Sequence, residues 1–239
     1  MACTSISLVR EQSEAVGPTR ALWVPFALGR PLGSATDPDI QREVMRSAFS
    51  LLDSATSPTI ADYDGALPDD EAGPGEWACP LNLGPVVDDT LTGRLLAEVG
   101  RLRTWSNQTR TSRGRTLFGV SGAGPDQVDA VARALASTAD AESLTESPAG
   151  DVEWAFDMPL LVRHLADDLR SFYHEAIAAQ PGSAAPNHDA LNDWIFGGTA
   201  LGDTLLAVAD RLTQEDTPMA SLVRGLLIPE GRYVGGSAF

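Results

Sequence analysis

The sequence predicts an α/β fold: a partial parallel, Rossmann-like sheet with flanking helices, followed by a mostly helical C-terminal region. Near the start of the chain, short apolar or β-prone runs alternate with helical segments, which is the βαβα order of parallel sheets. Towards the end, amphipathic segments follow one another. We expect four parts: a βαβα unit at 1–55, a Pro/Gly/acidic linker or loop at 56–87, a second βα unit at 88–150 and a helical region at 151–239.

The first unit opens with a β-prone segment, Cys3 to Leu8, and then one or two helical turns that Gly17 closes. The mostly apolar run from Ala21 to Phe26 predicts the next strand, because parallel strands buried on both faces are continuously apolar. Only some twenty residues precede this strand. We therefore expect the chain to enter an α/β unit part-way through.

A loop and a helix follow that strand. The loop "ALGRPLGSATDP" contains two glycines and two prolines, and Thr36 or Asp37 is expected to cap the helix with Pro38 at its first position. Apolar residues recur in the helix at near-helical spacing, so we expect it to pack against the sheet. They are Ile40, Val44, Phe49, Leu51 and Leu52.

The predicted second unit begins with a helix that starts at Asp88 and carries Arg101 and Arg103 near its end, as the helix dipole favours. A basic turn, "SNQTRTSRGR", and a strand, "TLFGV", come next. The glycine turn "SGAGPD" then leads into an amphipathic helix. One face of that helix carries Val128, Val131, Ala132 and Leu135.

The last region is predicted to be helical. A long amphipathic helix starts near Asp157 and ends at Pro181 and Gly182. Two further helical segments are broken around Gly197 and Gly198, and a kink or close helix packing is expected at the glycines of "FGGTALGD". The segment "SLVRGLLIP" follows them.

Composition excludes several classes of function. The formal net charge of −16 repels a phosphate backbone, so neither nucleic acid nor an anionic membrane is expected as a partner. All 17 basic residues are arginines, which excludes a P-loop lysine and any lysine Schiff base. No apolar run is long enough to span a bilayer, and the N-terminus lacks the order of a signal peptide. We expect a cytoplasmic protein.

Cysteine and histidine are scarce. Cys3 and Cys79 are too few and too far apart for a zinc site or a CxxC motif, and we expect neither a metal nor a cofactor. Either thiol is a candidate nucleophile. Cys3 would be activated if it lies at the end of its strand near helix N-termini, which lower a thiol pKa. The alternative for Cys79 is a buried, inert cysteine. His164 and Asp168 stand at i and i+4 on one helix face, as a ligand pair or as surface residues.

Two glycine-containing loops are candidate binding sites. "SGAGPD" could expose backbone N–H groups to a phosphate, or it could be a plain turn between strand and helix. "GRPLG" leaves the carboxyl end of a predicted parallel strand, the edge where open sheets bind ligands. There Arg30 could bind a carboxylate, flanked by Gly29 and Gly33. The alternative is that Arg30 is a surface charge and the two glycines are turn residues without a binding role.

The start of the chain also resembles a known family. Its order of segments resembles the C-terminal portion of selenoprotein B of the glycine, sarcosine and betaine reductases, and related D-proline reductase subunits. The segments are "CT", apolar residues, "VGPTR", an apolar strand, "PLG" and a charged helix. The resemblance covers about the first 53 residues and needs small gaps. The matching positions are Cys3, Thr4, Val16, Gly17, Arg20, Pro31, Leu32 and Gly33.

The resemblance implies a thiol- or selenol-dependent reductase subunit acting on a small carboxylated or amine substrate, with Arg20 added to the substrate-binding residues. The family's redox motif is missing from this chain. In the family a long α/β region precedes the matching segment, so we expect a partner subunit or a second copy to complete the sheet; a start codon placed too late would give the same sequence. The alternative hypothesis is a non-catalytic assembly or binding subunit with a reductase-like scaffold.

Overall fold

The computed structural model describes residues 2–34, 37–66, 83–84, 87–180, 186 and 188–228. The chain is a mixed α/β protein that divides into two compact units, Met1–Gly75 and Glu76–Phe239. The described strands form one three-stranded parallel sheet, which lies in the first unit. The described part of the second unit is helical.

The sheet consists of β1 (Ser5–Ser7), β2 (Arg20–Trp23) and β3 (Thr59–Asp62), in the spatial order β1-β2-β3. All three strands are parallel, and the register places Ile6, Leu22 and Ala61 side by side. Because the strands run in one direction, their first residues define an amino edge and their last residues a carboxyl edge. β1 and β3 are the outer strands of the sheet as described.

α1 ends and α2 begins where the sequence predicts. α1 (Arg10–Val16) ends at Gly17, whose φ of 63° is the left-handed conformation that favours glycine. α2 (Pro38–Ser54) has Pro38 at its first position, and the Asp37 carboxylate caps it by accepting the N–H groups of Asp39 and Ile40, both at 3.1 Å.

α2 packs on the sheet through one apolar face. Ile40, Val44, Ala48 and Leu51 are buried against a core that includes Leu22, Val24, Phe26 and Tyr63. The expectation that Phe49 belongs to this face is wrong, because its side chain is 54% exposed. Phe49 lies one residue after the buried Ala48, and a step of about 100° around the helix turns it away from the sheet.

β3 corrects the predicted linker at 56–87. The run Thr59–Asp62 pairs along its whole length with β2, and Tyr63, just beyond it, is buried in the core. Its neighbours in sequence are rich in proline, glycine and acids, and these conceal a short strand that is defined by its pairing partner. Most of the rest of the predicted linker lies outside the described residues.

The second unit is a group of helices around a single apolar core. Its helices are α3 (Leu91–Arg113), α4 (Val128–Ala139), α5 (Leu160–Ala178), α6 (His188–Gly198), α7 (Ala200–Leu212) and α8 (Pro218–Leu227). α3 packs against α4, α5 and α7; α4 also contacts α5 and α7, and α8 packs on α5 and α7. The predicted apolar face of Val128, Val131, Ala132 and Leu135 is fully buried.

Two elements predicted for 88–150 differ from the structure. The "basic turn" is mostly helix, because α3 continues to Arg113 and ends at Gly114 with a φ of 62°. "TLFGV" is not a strand but a series of turns. The backbone N–H groups of Gly119 and Val120, which a strand would donate to a neighbouring strand, are bound by a carboxylate of α5.

No helix among the described residues has the length and apolar character needed to cross a membrane.

Candidate ligand-binding site

The structure places Cys3 away from the position that its predicted role requires. Cys3 is exposed and precedes β1, so it lies at the amino edge of the sheet. α1 and α2 follow β1 and β2, so their N-termini lie towards the carboxyl edge. The condition that Cys3 lies near helix N-termini is therefore not met. Cys79 lies outside the described residues.

The "GRPLG" loop leaves the carboxyl edge, as expected. Gly29 and Gly33 have φ angles of 90° and 80°, so both turns need residues without a side chain. The N–H of Arg30 donates to the Ala27 carbonyl at 3.0 Å, and the N–H of Gly33 donates to the Arg30 carbonyl at 2.9 Å. The loop is thus a pair of hydrogen-bonded turns on which the side chain of Arg30 is exposed.

Arg20 lies at the opposite edge from this loop. Its Nε donates to the Leu51 carbonyl at 3.1 Å and its Nη2 donates to the Ala55 carbonyl at 3.2 Å. These carbonyls belong to the C-terminal end of α2, where a cation also complements the helix dipole. Arg20 therefore stabilises the helix end, and the structure does not bring it together with Arg30.

A further arginine at the carboxyl edge is Arg10, which the sequence reasoning missed. Its guanidinium forms ion pairs with Asp62 and, at 3.0 Å, with Glu14, and it lies 5.7 Å from the centre of the Trp23 ring. Its position three residues after β1 is the sequence signal that could have indicated it.

Three backbone N–H groups where "TLFGV" meets "SGAGPD" bind an anion that is part of the chain. Asp168 of α5 is fully buried, and its carboxylate accepts the N–H groups of Gly119, Val120 and Ser121 at 2.6, 3.0 and 3.1 Å. Successive N–H groups that converge in this way form an anion-binding nest. Only Ser121 of the predicted phosphate turn takes part, and the nest binds an internal carboxylate instead of a phosphate.

His164 and Asp168 do not form a ligand pair, because the nest binds the Asp168 carboxylate. The His164 ring instead stacks on Phe156, with the ring centres 4.0 Å apart. Within the part of the chain that the structure describes, no group of three or more His, Cys, Asp or Glu side chains could hold a metal ion.

A second buried carboxylate of α5 connects it to α3. Glu175 accepts hydrogen bonds from the hydroxyls of Ser106 at 3.1 Å and Thr116 at 2.6 Å, and its backbone carbonyl accepts one from Thr109. Ser106 and Thr109 are buried. This network explains why the polar stretch predicted to be a turn is a packed helix.

A third buried carboxylate, Glu98 of α3, caps the N-terminus of α7. It is 7% exposed, and its two oxygens each lie 2.9 Å from the backbone nitrogen of Ala200. The hydroxyl of the fully buried Tyr173 donates to it at 2.7 Å. Thr199, the N-cap residue, accepts the N–H of Gly202 at 3.1 Å, so two side chains satisfy the helix N-terminus.

Burial governs the protonation of this pair. Desolvation raises the pKa of Glu98 above its usual value, and the nearby Asp203 adds to the increase, although hydrogen bonds from Ala200, Tyr173 and Leu201 oppose it. Desolvation also raises the pKa of Tyr173, to which the neighbouring Glu98 contributes. Tyr173 is therefore a permanent hydrogen-bond donor, and Glu98 is the group that titrates.

Glu98 lines a cavity of about 370 Å³ in the second unit, which we call the Glu98 cavity. Its wall contains an ion pair of 2.5 Å between Arg94 Nη1 and Asp203 Oδ2. Three carboxylates and one guanidinium line it, together with backbone from the junction of α6 and α7. The lining residues are Leu83, Gly84, Asp89, Arg94, Glu98, Gly197, Gly198, Thr199, Ala200 and Asp203.

The glycine that requires close packing at this junction is Gly202 rather than Gly197 or Gly198. A Cβ at Gly202 would lie 2.1 Å from the Ile195 carbonyl oxygen and 2.7 Å from the Cα of Phe196, both backbone atoms of α6. A Cβ at Gly197 would contact nothing within 4 Å, and one at Gly198 would make an ordinary contact. The prediction of close helix packing in this region is thus confirmed at Gly202.

Comparison of the chain with protein-family models, with curated proteins and with solved structures finds no match.

Proposed function

We propose that the chain is a non-catalytic binding protein whose second unit holds a small molecule through a protonated amine in the Glu98 cavity. The observation that carries this proposal is the Glu98 carboxyl, which is more than nine-tenths buried yet lines a cavity and has no cationic partner among the described residues. A buried carboxylate without a cation is costly unless hydrogen bonds or a bound cation compensate it.

The lining of the cavity favours a cation over an anion. Asp89, Glu98 and Asp203 are opposed only by Arg94, so the local charge is negative when all three acids are ionised. Gly197 and Gly198 belong to the last turn of α6, where backbone carbonyls carry the negative end of the helix dipole. The net charge of −16 also raises the local concentration of cationic molecules around the protein.

The volume sets the size of the ligand. About 370 Å³ lies in the lower part of the range of ordinary ligand pockets, so the cavity takes a small metabolite and not a nucleotide. An ammonium group that enters it donates to the Glu98 carboxylate, which also accepts hydrogen bonds from Ala200 and Tyr173. Glu98 must be ionised for this contact, so binding strengthens as the pH rises through its raised pKa.

A titration with three probes of equal chain length tests the proposal: butylamine, butyrate and 1-butanol. The readout is the ¹H–¹⁵N signal of Ala200, whose N–H donates to Glu98. We expect a saturable shift with butylamine alone. Glu98→Gln should weaken that binding about 10- to 100-fold, because hydrogen bonds to charged groups contribute about 1.5–3 kcal/mol.

Glu175→Gln is the matched control, since Glu175 is a buried carboxylate of the same unit outside the lining of the cavity. It should leave butylamine binding unchanged, with circular dichroism to verify that both variants fold. Equal shifts from butyrate or butanol, or undiminished butylamine binding by Glu98→Gln, would contradict the proposal.

The thiol-dependent reductase subunit implied by the family resemblance is a second proposal. The parallel strands and the glycine loop at their carboxyl edge support this second proposal. In it, the sheet is part of a Rossmann-like sheet, and a partner chain completes that sheet beside β1 or β3. Because Cys3 lies at the other edge, Cys79 is the better candidate for a thiol supplied by this chain. Cys3→Ser and Cys79→Ser variants, assayed with the partner, test it: full activity in both would remove the thiol chemistry from this chain.

A further inference from the structure

α2 has an outer face that is separate from the face packed on the sheet. An open groove of about 760 Å³ runs along it, lined mainly by residues of α2, among them Arg42, Met45, Arg46, Phe49 and Asp53. Phe49 is 54% exposed, and Arg46 and Asp53 are exposed as well. Among the described residues neither Arg46 nor Asp53 has an ion-pair partner, whereas Arg42 pairs with Asp39 at 2.5 Å.

These side chains form a single stripe. Arg42, Arg46, Phe49 and Asp53 are separated by four, three and four residues, the spacing of one helix face. The stripe is about 17 Å long at 1.5 Å per residue. Positive charge lies in its first half and negative charge at its end, and the aromatic Phe49 lies midway between Arg46 and Asp53.

We propose that the second half of this stripe, residues 46–53 of α2, binds the same residues of a second copy of the chain, with the two helices antiparallel about a twofold axis between Phe49 and Ser50. Antiparallel alignment places Arg46 of one copy opposite Asp53 of the other, twice, and brings the two Phe49 rings together at the axis. A twofold interface requires a surface that complements itself. The charge order of the stripe meets that requirement in the antiparallel arrangement and opposes the parallel one.

The dimer is weak. α2 has 17 residues, so a single helix pair buries less than the roughly 1,200 Å² at which specific complexes begin, and the transient class lies below that area. Two copies with a net charge of −16 each also repel one another. Association is therefore expected at high micromolar to millimolar concentration.

A charge-exchange experiment tests the register. Arg46→Glu and Asp53→Arg are each measured by sedimentation equilibrium, and each should dimerise about tenfold more weakly than the wild type, because two attractive contacts become repulsive. An equimolar mixture of the two variants should recover dimers. In the mixed dimer the glutamate introduced in one copy faces the arginine introduced in the other, and the unchanged Asp53 faces the unchanged Arg46. The double variant should recover dimers as well.

Arg133→Glu is the matched control, because Arg133 is an exposed helical arginine in the other unit. This substitution changes the net charge by the same amount as Arg46→Glu. It should dimerise like the wild type apart from the small effect of net charge. A wild type that stays monomeric up to millimolar concentration, or a mixture no better than its two components, would overturn the proposal. Because the Glu98 cavity lies in the other unit, either result leaves the butylamine test independent.

Discussion

Replacing Gly202 with alanine perturbs the packing of α6 on α7 at one defined point. The added Cβ would lie 2.1 Å from the Ile195 carbonyl oxygen, 2.7 Å from the Phe196 Cα and 2.8 Å from the Ile195 carbonyl carbon. All three are backbone atoms, so no side chain can move aside. Favourable contact requires about 3.5 Å, and α7 must therefore shift by about 1.4 Å.

The cost follows from that shift. Overpacking of a well-packed core costs about 1–3 kcal/mol and occasionally more, and the backbone contacts here place Gly202→Ala at the upper end, about 3 kcal/mol. Helix propensity alone would have stabilised the protein by about 0.5–1 kcal/mol. Moving α7 also displaces the Ala200 N–H from Glu98, so the variant should bind butylamine more weakly.

Urea unfolding measures the effect, with Gly100→Ala as the control. Gly100 is exposed within α3, and a Cβ there would contact nothing within 4 Å, so this variant should gain about 0.5–1 kcal/mol. Opposite signs for the two substitutions support the packing described here. A Gly202→Ala variant as stable as the wild type would refute it.

Three further predictions concern single side chains. Because burial raises the pKa of Glu98 in the folded state, its contribution to stability is full below the unfolded value near 4.5 and is lost as the pH rises through the folded pKa. The free energy of unfolding of the wild type, relative to that of Glu98→Gln, should therefore fall above pH ~4.5. The total fall is about 1.4 kcal/mol for each unit by which the pKa is raised. Urea unfolding at several pH values measures it, and a free-energy difference that stays constant or rises with pH would contradict this. Asp168→Asn places an amide N–H₂ in the nest of backbone donors and should lower the free energy of unfolding by about 2–3 kcal/mol. The control Asp167→Asn, on the same helix, should lower it by less than about 0.5 kcal/mol. Equal losses for the two variants would show that the nest contributes nothing to stability. Arg20→Ala removes two hydrogen bonds from the end of α2 and should cost about 1–2 kcal/mol in thermal unfolding, and an unchanged stability would reopen a role in substrate binding.

The sequence predicted the elements that local signals determine. Gly17 ends α1, and Asp37 with Pro38 starts α2, because caps and the φ angle of proline act within a few residues. The apolar face of α4 was likewise readable, since its residues follow the helical period. These signals need no knowledge of the rest of the fold.

Elements that depend on distant partners were not predictable in the same way. β3 is defined by its pairing with β2, and the "TLFGV" segment by the carboxylate of Asp168, 48 to 49 residues away. Ser106 and Thr109 resemble loop residues in the sequence and are buried because Glu175 binds them. Polar residues that pair inside a core have no apolar pattern to indicate them.

The candidate site was missed for the same reason. Glu98 lies in a segment correctly predicted to be helical, but its partner Ala200 is 102 residues away, so nothing near Glu98 marks it as buried. The glycines around 197–202 did mark the junction that forms one wall of the cavity. The "GRPLG" loop was placed at the correct edge of the sheet, while the residues that resemble the reductase family lie at both edges.

The pKa of the Glu98 carboxyl, measured by carbon-detected NMR with and without saturating butylamine, reports whether an ammonium group binds at Glu98. Bound ammonium stabilises the ionised carboxylate, so the raised pKa of the free protein should fall towards the ordinary glutamate value when the amine is present and stay unchanged with 1-butanol. A Glu98 pKa that does not respond to the amine would contradict the account, because the ligand would then not contact the one buried carboxylate on which the proposed function rests.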